Sequence, residues 1–297
     1  MAPHRHVQKI LVPVPLTSAF SVPLKQALYF QQVYHAEIIL MNVVPDFTLF
    51  HRVLNPEKIR KHNRQAMEKL ESLARSYFNG NIPEHVLLKV VNGELIPSIL
   101  KTAVELKCDM IIIKKEKRIK TFFHFLKSEN ADKIIAEAVC PVLTIIGRLT
   151  DEKIRHILIP VDIFKKTTSK IAWSVSLAKN FGAKLHVVSV LKLDIEKEDS
   201  LAYKKCKEIE DAVRKEGVEV DTKLLNASDK SVHEVVLGYA AELNPDMLLI
   251  MTHQESILFD NYLGSFAREI IHRSPFPVFS VVPSKKTILD PFMGTTV

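Results

Sequence analysis

The sequence lacks long apolar runs and signals for export. None of its 297 residues belongs to an apolar stretch approaching the roughly 18 to 20 residues that cross a bilayer, so we expect no membrane span. The opening MAPHRHVQKILVPV has no apolar segment with a small-residue cleavage site, and no signal peptide is predicted. Only three cysteines occur, Cys108, Cys140 and Cys206, without C-x-x-C spacing. Reduced, buried thiols and a cytoplasmic location are expected.

Motifs that carry catalysis or bind metal are also missing. The chain has no G-x-S-x-G, H-E-x-x-H, Walker loop or complete G-x-G-x-x-G. Its twelve histidines are scattered rather than spaced as metal ligands. His253, for example, has no second ligand close to it in sequence and fits a polar surface residue. We therefore expect no catalytic residue, no metal site and no enzymatic activity.

One lysine-rich segment leaves an enzymatic alternative open. Residues 165–170, Lys-Lys-Thr-Thr-Ser-Lys, are similar to the lysine–serine loops of some nucleotide-activating enzymes. They also fit a capped helix start with solvated lysines, and no partner histidine motif lies near the first strand. An adenylate-transferring enzyme is therefore the less favoured alternative.

The composition is that of a soluble globular protein. Hydrophobic residues make up 47% of the chain and charged residues 25%. A formal charge of +7 attracts acidic partners, but it is modest for this length and does not identify one.

Three short segments occur twice in the same order, which indicates an internal duplication. The pairs are Lys9–Val14 with His156–Val161, Cys108–Ile113 with Pro245–Ile250, and Cys140–Thr144 with Phe276–Ser280, at offsets of 147, 137 and 136 positions. Slowly shrinking offsets are typical of a duplication followed by small deletions.

Each repeat alternates short apolar runs with longer helical patterns. In the second repeat, strands are predicted at 157–161, 184–190, 218–224, 247–251 and 278–282, and helices at 168–181, 195–216, 230–243 and 263–273. In the first repeat, helices are predicted at 22–35, 56–78, 95–107 and 129–138. Continuous apolar runs are typical of strands buried on both faces, and alternation with helices predicts parallel βαβ units. The predicted fold is α/β, with two doubly wound five-stranded parallel-sheet domains in tandem.

The domain bounds follow from the repeat. We predict an N-terminal domain at 1–148, a C-terminal domain at 153–283 and a polar tail at 284–297. The join between the domains is short, so the two halves are expected to pack against each other.

The ordered set of segments resembles the universal stress proteins, which belong to an adenine nucleotide alpha hydrolase-like fold. The features are a first strand ending in Pro160-Val161-Asp162, a fourth strand Asp246–Ile250, a loop closing on Gly264-Ser265, and a last strand opened by Pro277-Val278. The resemblance covers both repeats. It implies α/β domains that dimerise, some through the last strand, and one ATP-binding branch. The two halves are thus expected to form an intrachain pseudo-dimer, with a homodimer as a further association.

The ATP-binding branch carries G-x-x-G, nine residues and then G-S or G-T, so that main-chain N–H groups can approach phosphates. The same register here places Met251 and Gln254 at the first two glycines and keeps Gly264-Ser265. The resemblance also implies that Asp162 lies near an adenosine and that Val190 supplies an apolar contact. We refer to these six residues as the C-terminal candidate site: Asp162, Val190, Met251, Gln254, Gly264 and Ser265.

This candidate nucleotide site is expected to be degenerate. Met251 places an apolar side chain where a phosphate needs hydrogen-bond donors. The favoured interpretation of Gly264-Ser265 is that they begin the last helix with a serine cap. They are also expected to leave N–H groups available to an anion at this helix start. No cofactor is therefore expected, and weak binding of ATP or another adenine nucleotide by the C-terminal half is the alternative.

The first repeat departs further from the binding pattern. Pro15 stands where the second repeat has Asp162, and the loop after the fourth strand has no glycine. That loop is instead basic, with Lys114, Lys115, Lys117 and Arg118 followed by several phenylalanines. A solvated charged surface is the favoured interpretation. The alternative is a contact for an acidic protein or a nucleic acid.

The resulting hypothesis is a non-catalytic universal stress protein that acts in the cytoplasmic stress response by binding a ligand or an unknown protein partner. The first alternative is a sensor that binds ATP or another adenine nucleotide through the C-terminal half. A thermal-shift comparison with nucleotides separates the two.

Overall fold

The computed structural model describes residues 6–45, 56–115, 128–145, 153–162, 168–191, 201–252 and 263–282. The chain divides into two compact units near Lys153. The first unit comprises His6–Lys153 and Ser274–Phe279, and the second comprises Ile154–Arg273 and the residues from Ser280 onward. The exact domain bounds stay a prediction, and the predicted tail lies outside the described residues.

The first repeat forms a parallel sheet flanked by helices. Its strands are β1 (Lys9–Pro13), β2 (Glu37–Val44), β3 (Val86–Asn92), β4 (Met110–Lys114) and β5 (Val142–Ile145), and its helices are α1 (Ser21–Tyr34), α2 (Pro56–Tyr77), α3 (Leu95–Glu105) and α4 (Ser128–Glu137). The strand order is β3-β2-β1-β4-β5. The pairings of β1 with β2 and β4, of β2 with β3, and of β4 with β5 are parallel. This is the doubly wound arrangement that the sequence predicts.

The second repeat has the same arrangement. Its strands are β6 (His156–Pro160), β7 (Lys184–Leu191), β8 (Val220–Asn226), β9 (Met247–Met251) and β10 (Val278–Val281), and its helices are α5 (Thr168–Phe181), α6 (Leu201–Lys215), α7 (Val232–Leu243) and α8 (Ser265–Arg273). The strand order is β10-β9-β6-β7-β8. Helix α5 starts and ends 147 positions after α1, as the sequence offset predicts. The predicted α/β fold is confirmed.

The strands are continuous apolar runs because helices cover both faces of the sheet. Leu11 and Ile111 in the first repeat and Leu158 and Leu248 in the second are fully buried. Side chains at successive strand positions are buried, and each Å² of apolar surface removed from water stabilises the fold by about 25 cal/mol. Because the central strands are parallel, their carboxyl ends lie together on one side of each sheet, which is called its edge below.

An aspartate before the fourth strand of each repeat fixes the start of the first strand. Asp246 Oδ2 accepts hydrogen bonds from the main-chain N–H groups of Arg155 at 2.7 Å and His156 at 2.9 Å. Asp109 Oδ2 makes the equivalent bonds with Gln8 and Lys9, at 2.8 and 2.9 Å. This shared structural role accounts for the aspartate that both copies of the fourth-strand motif contain.

Candidate functional site

The C-terminal candidate site lies at the point where the strand order of the second repeat changes direction. Strands β6 and β9 are parallel neighbours, although β7 and β8 come between them in sequence. In doubly wound sheets, ligands bind beyond the carboxyl ends of strands at such a switch point. Asp162 follows β6, and Met251 is the last residue of β9. The fold therefore brings these two predicted site residues to the same edge of the sheet.

A lysine of the next helix is bound at the carboxyl end of β6. Lys170, in the first turn of α5, donates from Nζ to the main-chain carbonyl oxygen of Pro160 at 2.6 Å. Burial lowers the pKa of Lys170 to about 8, and the nearby carboxylate of Asp162 acts in the opposite direction. The ammonium group is thus held by the protein itself. The sequence predicts a lysine-rich helix start that contains Lys170, but it does not predict this buried position.

Thr252, the residue after β9, makes two main-chain hydrogen bonds. The N–H of Thr252, which is fully buried, donates to the carbonyl oxygen of Val281 at 3.0 Å. The carbonyl oxygen of Thr252 accepts from the N–H of Gly264 at 3.1 Å. Thr252 and Gly264, which lie on either side of positions 253–263 in sequence, are consequently hydrogen-bonded to each other. Met251, immediately before this tie, is half-buried.

The glycine at the start of α8 is the N-cap of the helix. Its carbonyl oxygen accepts the first helical hydrogen bond, from the N–H of Arg268 at 2.9 Å. Ser265 is therefore the first helical residue, and the predicted serine cap is wrong by one position. The expectation that the N–H of Gly264 is available to an anion is also wrong, because this N–H donates to Thr252. What remains for a ligand is the first helical turn from Ser265, whose N–H groups have no partner within a helix.

The backbone conformation at position 264 does not require glycine. Its φ angle is not in the positive range, and a Cβ atom there would lie 3.7 Å from the carbonyl oxygen of Thr252, an ordinary contact. Glycine is a favourable N-cap residue in its own right. The glycine is thus explained without a ligand, although it also leaves the helix start open to one.

The remaining members of the predicted site are Val190 and Gln254. Val190 is half-buried near the end of β7, the strand beside β6, so it lies at the same edge of the sheet. Gln254 lies outside the described residues.

The corresponding edge of the first repeat lacks both charged groups. Helices α1 and α5 align at a constant offset of 147 positions, so Pro15 corresponds to Asp162 and Pro23 to Lys170. Neither proline carries a charge or a side-chain hydrogen-bond donor. A carboxylate and an ammonium group at these two positions therefore occur in the second repeat and not in the first.

The first repeat instead buries a different lysine. Lys115 follows β4, is 6% exposed, and its Nζ has no hydrogen-bond partner among the described residues. Burial lowers the pKa of Lys115, while Asp132 on α4 acts in the opposite direction. Lys115 belongs to the segment for which a solvated surface is the favoured interpretation and a contact for an acidic partner the alternative, and its burial makes both wrong for this residue. Lys114 is half-buried, and Lys117 and Arg118 lie outside the described residues.

The cysteines are buried thiols, as predicted. Cys108, Cys140 and Cys206 are free and buried. Burial raises the pKa of Cys140 to about 12 and that of Cys108 and Cys206 to about 11. Thiols with such pKa values are protonated at neutral pH and are poor nucleophiles.

The family assignment rests on a match in each repeat. The model of the universal stress protein family matches residues 6–145 and 153–281, which together cover most of the chain. This chain belongs to the universal stress protein family. The match confirms the family that the ordered segments indicated, and it confirms that the family domain occurs twice.

Solved structures support the fold of this tandem universal stress protein. A universal stress protein from Archaeoglobus fulgidus DSM 4304 is 17% identical, with a TM-score of 0.64, covering 95% of this chain and 99% of that one. A functionally unknown protein from Pseudomonas aeruginosa PAO1 is 16% identical, with a TM-score of 0.63, covering 96% and 95%. Identities this low show the fold alone. The comparison with curated proteins finds no match.

A shorter structure shows one member of the family with a nucleotide. The universal stress protein from Archaeoglobus fulgidus in complex with dAMP is 24% identical, with a TM-score of 0.35, covering 44% of this chain and 99% of that one.

None of the helices in the described residues of this chain is both long and apolar enough to span a membrane.

Proposed function

We propose that this universal stress protein is a non-catalytic binding protein of the cytoplasmic stress response, in which the C-terminal candidate site no longer holds ATP. The observation that carries the proposal is the hydrogen bond from the N–H of Gly264 to the carbonyl oxygen of Thr252 at 3.1 Å. It engages the main-chain donor of the glycine that the sequence retains from the binding motif.

The charges at the edge of the sheet support the same conclusion. Lys170 interacts electrostatically with Asp162, and its Nζ already donates to the main-chain carbonyl oxygen of Pro160. A phosphate would have to draw this ammonium group away from a hydrogen bond of 2.6 Å. Met251, in turn, supplies apolar atoms that would remove water from a phosphate without replacing its hydrogen bonds.

The helix start is too weak to compensate. An anion at the N-terminus of an exposed helix gains about 0.3 to 1 kcal/mol. Micromolar affinity requires about 8 kcal/mol. The N–H groups that follow Ser265 would therefore not hold a triphosphate without further contacts.

Calorimetric titration of the full chain with Mg-ATP tests the proposal. We expect little or no heat of binding from the wild type. The double variant Met251→Gly, Gln254→Gly should bind ATP more tightly, because both changes remove side chains from the motif's glycine positions. Tight binding of ATP by the unmodified protein would overturn the proposal.

The matched control uses the first repeat. Lys114→Gly with Lys117→Gly places glycines at the corresponding motif positions, but Pro15 and Pro23 still replace the two charged residues. We expect no gain in ATP affinity from this control. A gain equal to that of the second-repeat variant would mean that the substitutions act through general loosening of the loop.

A second candidate function is an adenine nucleotide sensor in the C-terminal half. It is favoured by Asp162 at the switch point of the second repeat, where the first repeat has Pro15. A thermal shift produced by ATP, ADP or AMP in the wild type, and lost in Asp162→Ala, would favour this candidate. Slow release of ADP or AMP during incubation with ATP would instead favour the adenylate-transferring alternative.

The partners of the protein are also part of the proposal. We propose an unknown protein partner, an intrachain pseudo-dimer of the two repeats and a homodimer as a further association. Sedimentation analysis measures the oligomeric state. Mass spectrometry of the natively purified protein identifies the small molecules and proteins that co-purify with it, and an abundant bound nucleotide would count against the lost site.

A further inference from the structure

A chain of three polar side chains crosses strands β6, β7 and β8 of the second repeat. His156 Nδ1 lies 3.0 Å from His186 Nε2, and His186 Nδ1 lies 2.9 Å from Asp221 Oδ1. His186 is 5% exposed, whereas His156 is exposed. The two imidazole rings are 5.2 Å apart between centroids. A surface histidine is thereby joined to a buried histidine and a carboxylate.

The hydrogen bonds determine the tautomer of the buried ring. An ionised carboxylate only accepts hydrogen bonds, so Nδ1 of His186 carries the proton that is donated to Asp221. Burial is the main cause that lowers the pKa of His186. In the neutral ring, Nε2 then presents a lone pair toward His156. Histidines that bind metals are held in the same way, with the second ring nitrogen donating to a carboxylate.

The two facing nitrogens are close enough for one metal ion to bind both after a movement of the exposed ring. A cation with metal–nitrogen distances of about 2.0 to 2.1 Å and a ligand angle of about 90 to 110° separates two nitrogens by about 2.9 to 3.4 Å. The present separation of 3.0 Å is that of a hydrogen bond in which the two nitrogens face each other, so the His156 ring must move before both can bind one ion. Since His156 is exposed, a rotation of its ring can direct both lone pairs at one ion. The ion would replace the proton that His156 Nδ1 now donates.

The charges around the pair favour a cation. Asp221 Oδ2 and Glu219 Oε1 lie 3.2 and 3.0 Å from Lys184 Nζ, so one ammonium is shared by two carboxylates. Asp246 adds a third carboxylate, bound to the main-chain N–H of His156. Tyr239 of α7 faces the same group of charges, and burial raises its pKa, so this phenol is neutral at physiological pH.

The first repeat provides a comparison without the two histidines. Register places Lys9 at the position of His156, Ile39 at that of His186 and Leu87 at that of Asp221. Lys9 there forms an ion pair with Glu37 at 3.8 Å. The same strand positions therefore fold without an imidazole pair, and the fold itself does not require one.

We propose that His156 and His186 form a two-imidazole site for a divalent transition cation such as Zn²⁺, with Asp221 positioning the His186 ring. Imidazole nitrogen is a preferred ligand of Zn²⁺, Cu²⁺ and Ni²⁺. Within the described residues, no group of three or more histidine, cysteine, aspartate or glutamate side chains is placed to hold a metal. The pair thus supplies two ligands, and water completes the coordination.

This cation site is separate from the C-terminal candidate site. His156 is the first residue of β6, and the candidate nucleotide site lies beyond the opposite end of that strand. Cation binding at the pair therefore neither requires nor excludes a nucleotide at the switch point.

Calorimetric titration of the full chain with ZnCl₂ tests the site. The parent for this experiment carries His4→Ala and His6→Ala, which removes the two closely spaced histidines near the start of the sequence. We expect one equivalent of Zn²⁺ to bind, with at least about a tenfold loss of affinity in His156→Ala because one of the two ligands is removed. Asp221→Asn should weaken binding about 10- to 100-fold, as loss of a carboxylate behind a metal-binding histidine does elsewhere.

These variants avoid the buried histidine, so a folding failure does not obscure the result. His62→Ala is the matched control. The ring of His62 is hydrogen-bonded to the main-chain carbonyl oxygen of Lys58 and lies in the other repeat. This variant should bind Zn²⁺ as the parent does. Nitrogen-15 NMR spectra of the histidine rings add a direct measurement. Zn²⁺ should change the chemical shifts of His186 Nε2 and His156 Nδ1, while His186 Nδ1 stays protonated. The absence of Zn²⁺ binding in the parent, or equal affinity in the parent and His156→Ala, would overturn the proposal.

Discussion

The Nζ of Lys170 lies 2.6 Å from the main-chain carbonyl oxygen of Pro160, at the carboxyl end of the first strand of the second repeat. Burial disfavours the charged form and lowers the pKa of this lysine to about 8, while Asp162 favours the charged form. The cost of burying the ammonium group is thus only partly offset. Burial of this cation is unfavourable, and it lies where this fold binds ligands. Variants at this edge of the sheet are therefore the most informative.

Replacing Lys170 with Met should stabilise the protein at neutral pH. Because the pKa is lower in the folded state than in the unfolded chain, the unfolded chain binds more protons between about pH 8 and 10.5. The penalty is present in full below about pH 8 and is relieved as the pH rises. We expect Lys170→Met to raise the free energy of unfolding at pH 7 on the order of 1 to 3 kcal/mol and to gain less at pH 10. Urea unfolding at several pH values measures both.

The control for this prediction is Lys101→Met on α3. The side chain of Lys101 is 74% exposed and forms an ion pair with Glu105 at 3.6 Å. Its replacement should change the free energy of unfolding little. A loss of stability in Lys170→Met at pH 7 would mean that the hydrogen bond to Pro160 outweighs the burial cost.

Asp162 should be necessary for any recovery of ATP binding. In the Met251→Gly, Gln254→Gly background, Asp162→Ala removes the carboxylate that the family resemblance places near the adenosine. We expect the gained affinity to be lost, as seen by calorimetry. If Asp162→Ala leaves the gained ATP affinity unchanged, the restored glycines act without Asp162, which would contradict the role assigned to this residue.

Lys115 should be a destabilising residue of the first repeat. Its buried Nζ has no hydrogen-bond partner among the described residues, and burial of an unsatisfied polar group is unfavourable. The second repeat has Thr252 at this position, with its hydroxyl 3.3 Å from the carbonyl oxygen of Val281. We expect Lys115→Met to raise the free energy of unfolding by about 1 kcal/mol. A fall in stability would mean that attraction to Asp132 exceeds the burial cost.

The aspartate before the fourth strand should stabilise each repeat. Asp246→Ala leaves the N–H groups of Arg155 and His156 without their acceptor, which should cost about 1 to 3 kcal/mol. Asp109→Ala should cost a similar amount in the first repeat, because the geometry is the same. Chemical denaturation of both variants measures this, with exposed Asp211→Ala on α6 as the control. A cost no larger than that of Asp211→Ala would contradict the structural role.

The basic segment after β4 should behave as a solvated surface. Lys115 is buried, so the test replaces Lys114, Lys117 and Arg118 with Ser. We expect the affinity for polyglutamate or an oligonucleotide, measured by fluorescence anisotropy, to be unchanged. A loss of affinity, combined with wild-type binding that weakens steeply as salt increases, would establish a polyanion contact instead.

The sequence by itself determined the repeat, the fold class and the edge of the sheet that holds the candidate site. Apolar runs such as Met247–Met251 are local patterns, and strands buried between helices need them in any sequence that folds this way. The offset of 147 positions also makes Pro15 the equivalent of Asp162. These features could be predicted because each depends on neighbouring residues or on a comparison within the chain.

Only the tertiary structure decided how the polar groups are partnered. The N–H of Gly264 donates to Thr252, and the ammonium of Lys170 donates to Pro160, so groups that appear available in the sequence are already bonded. His156 and Asp221 reach His186 from positions 30 and 35 residues away. Such contacts depend on strand register and side-chain rotamers, which residue order alone does not fix. Hydrogen bonds and burial costs change steeply over about 1 Å, so the chemistry of each site is set by the packed structure.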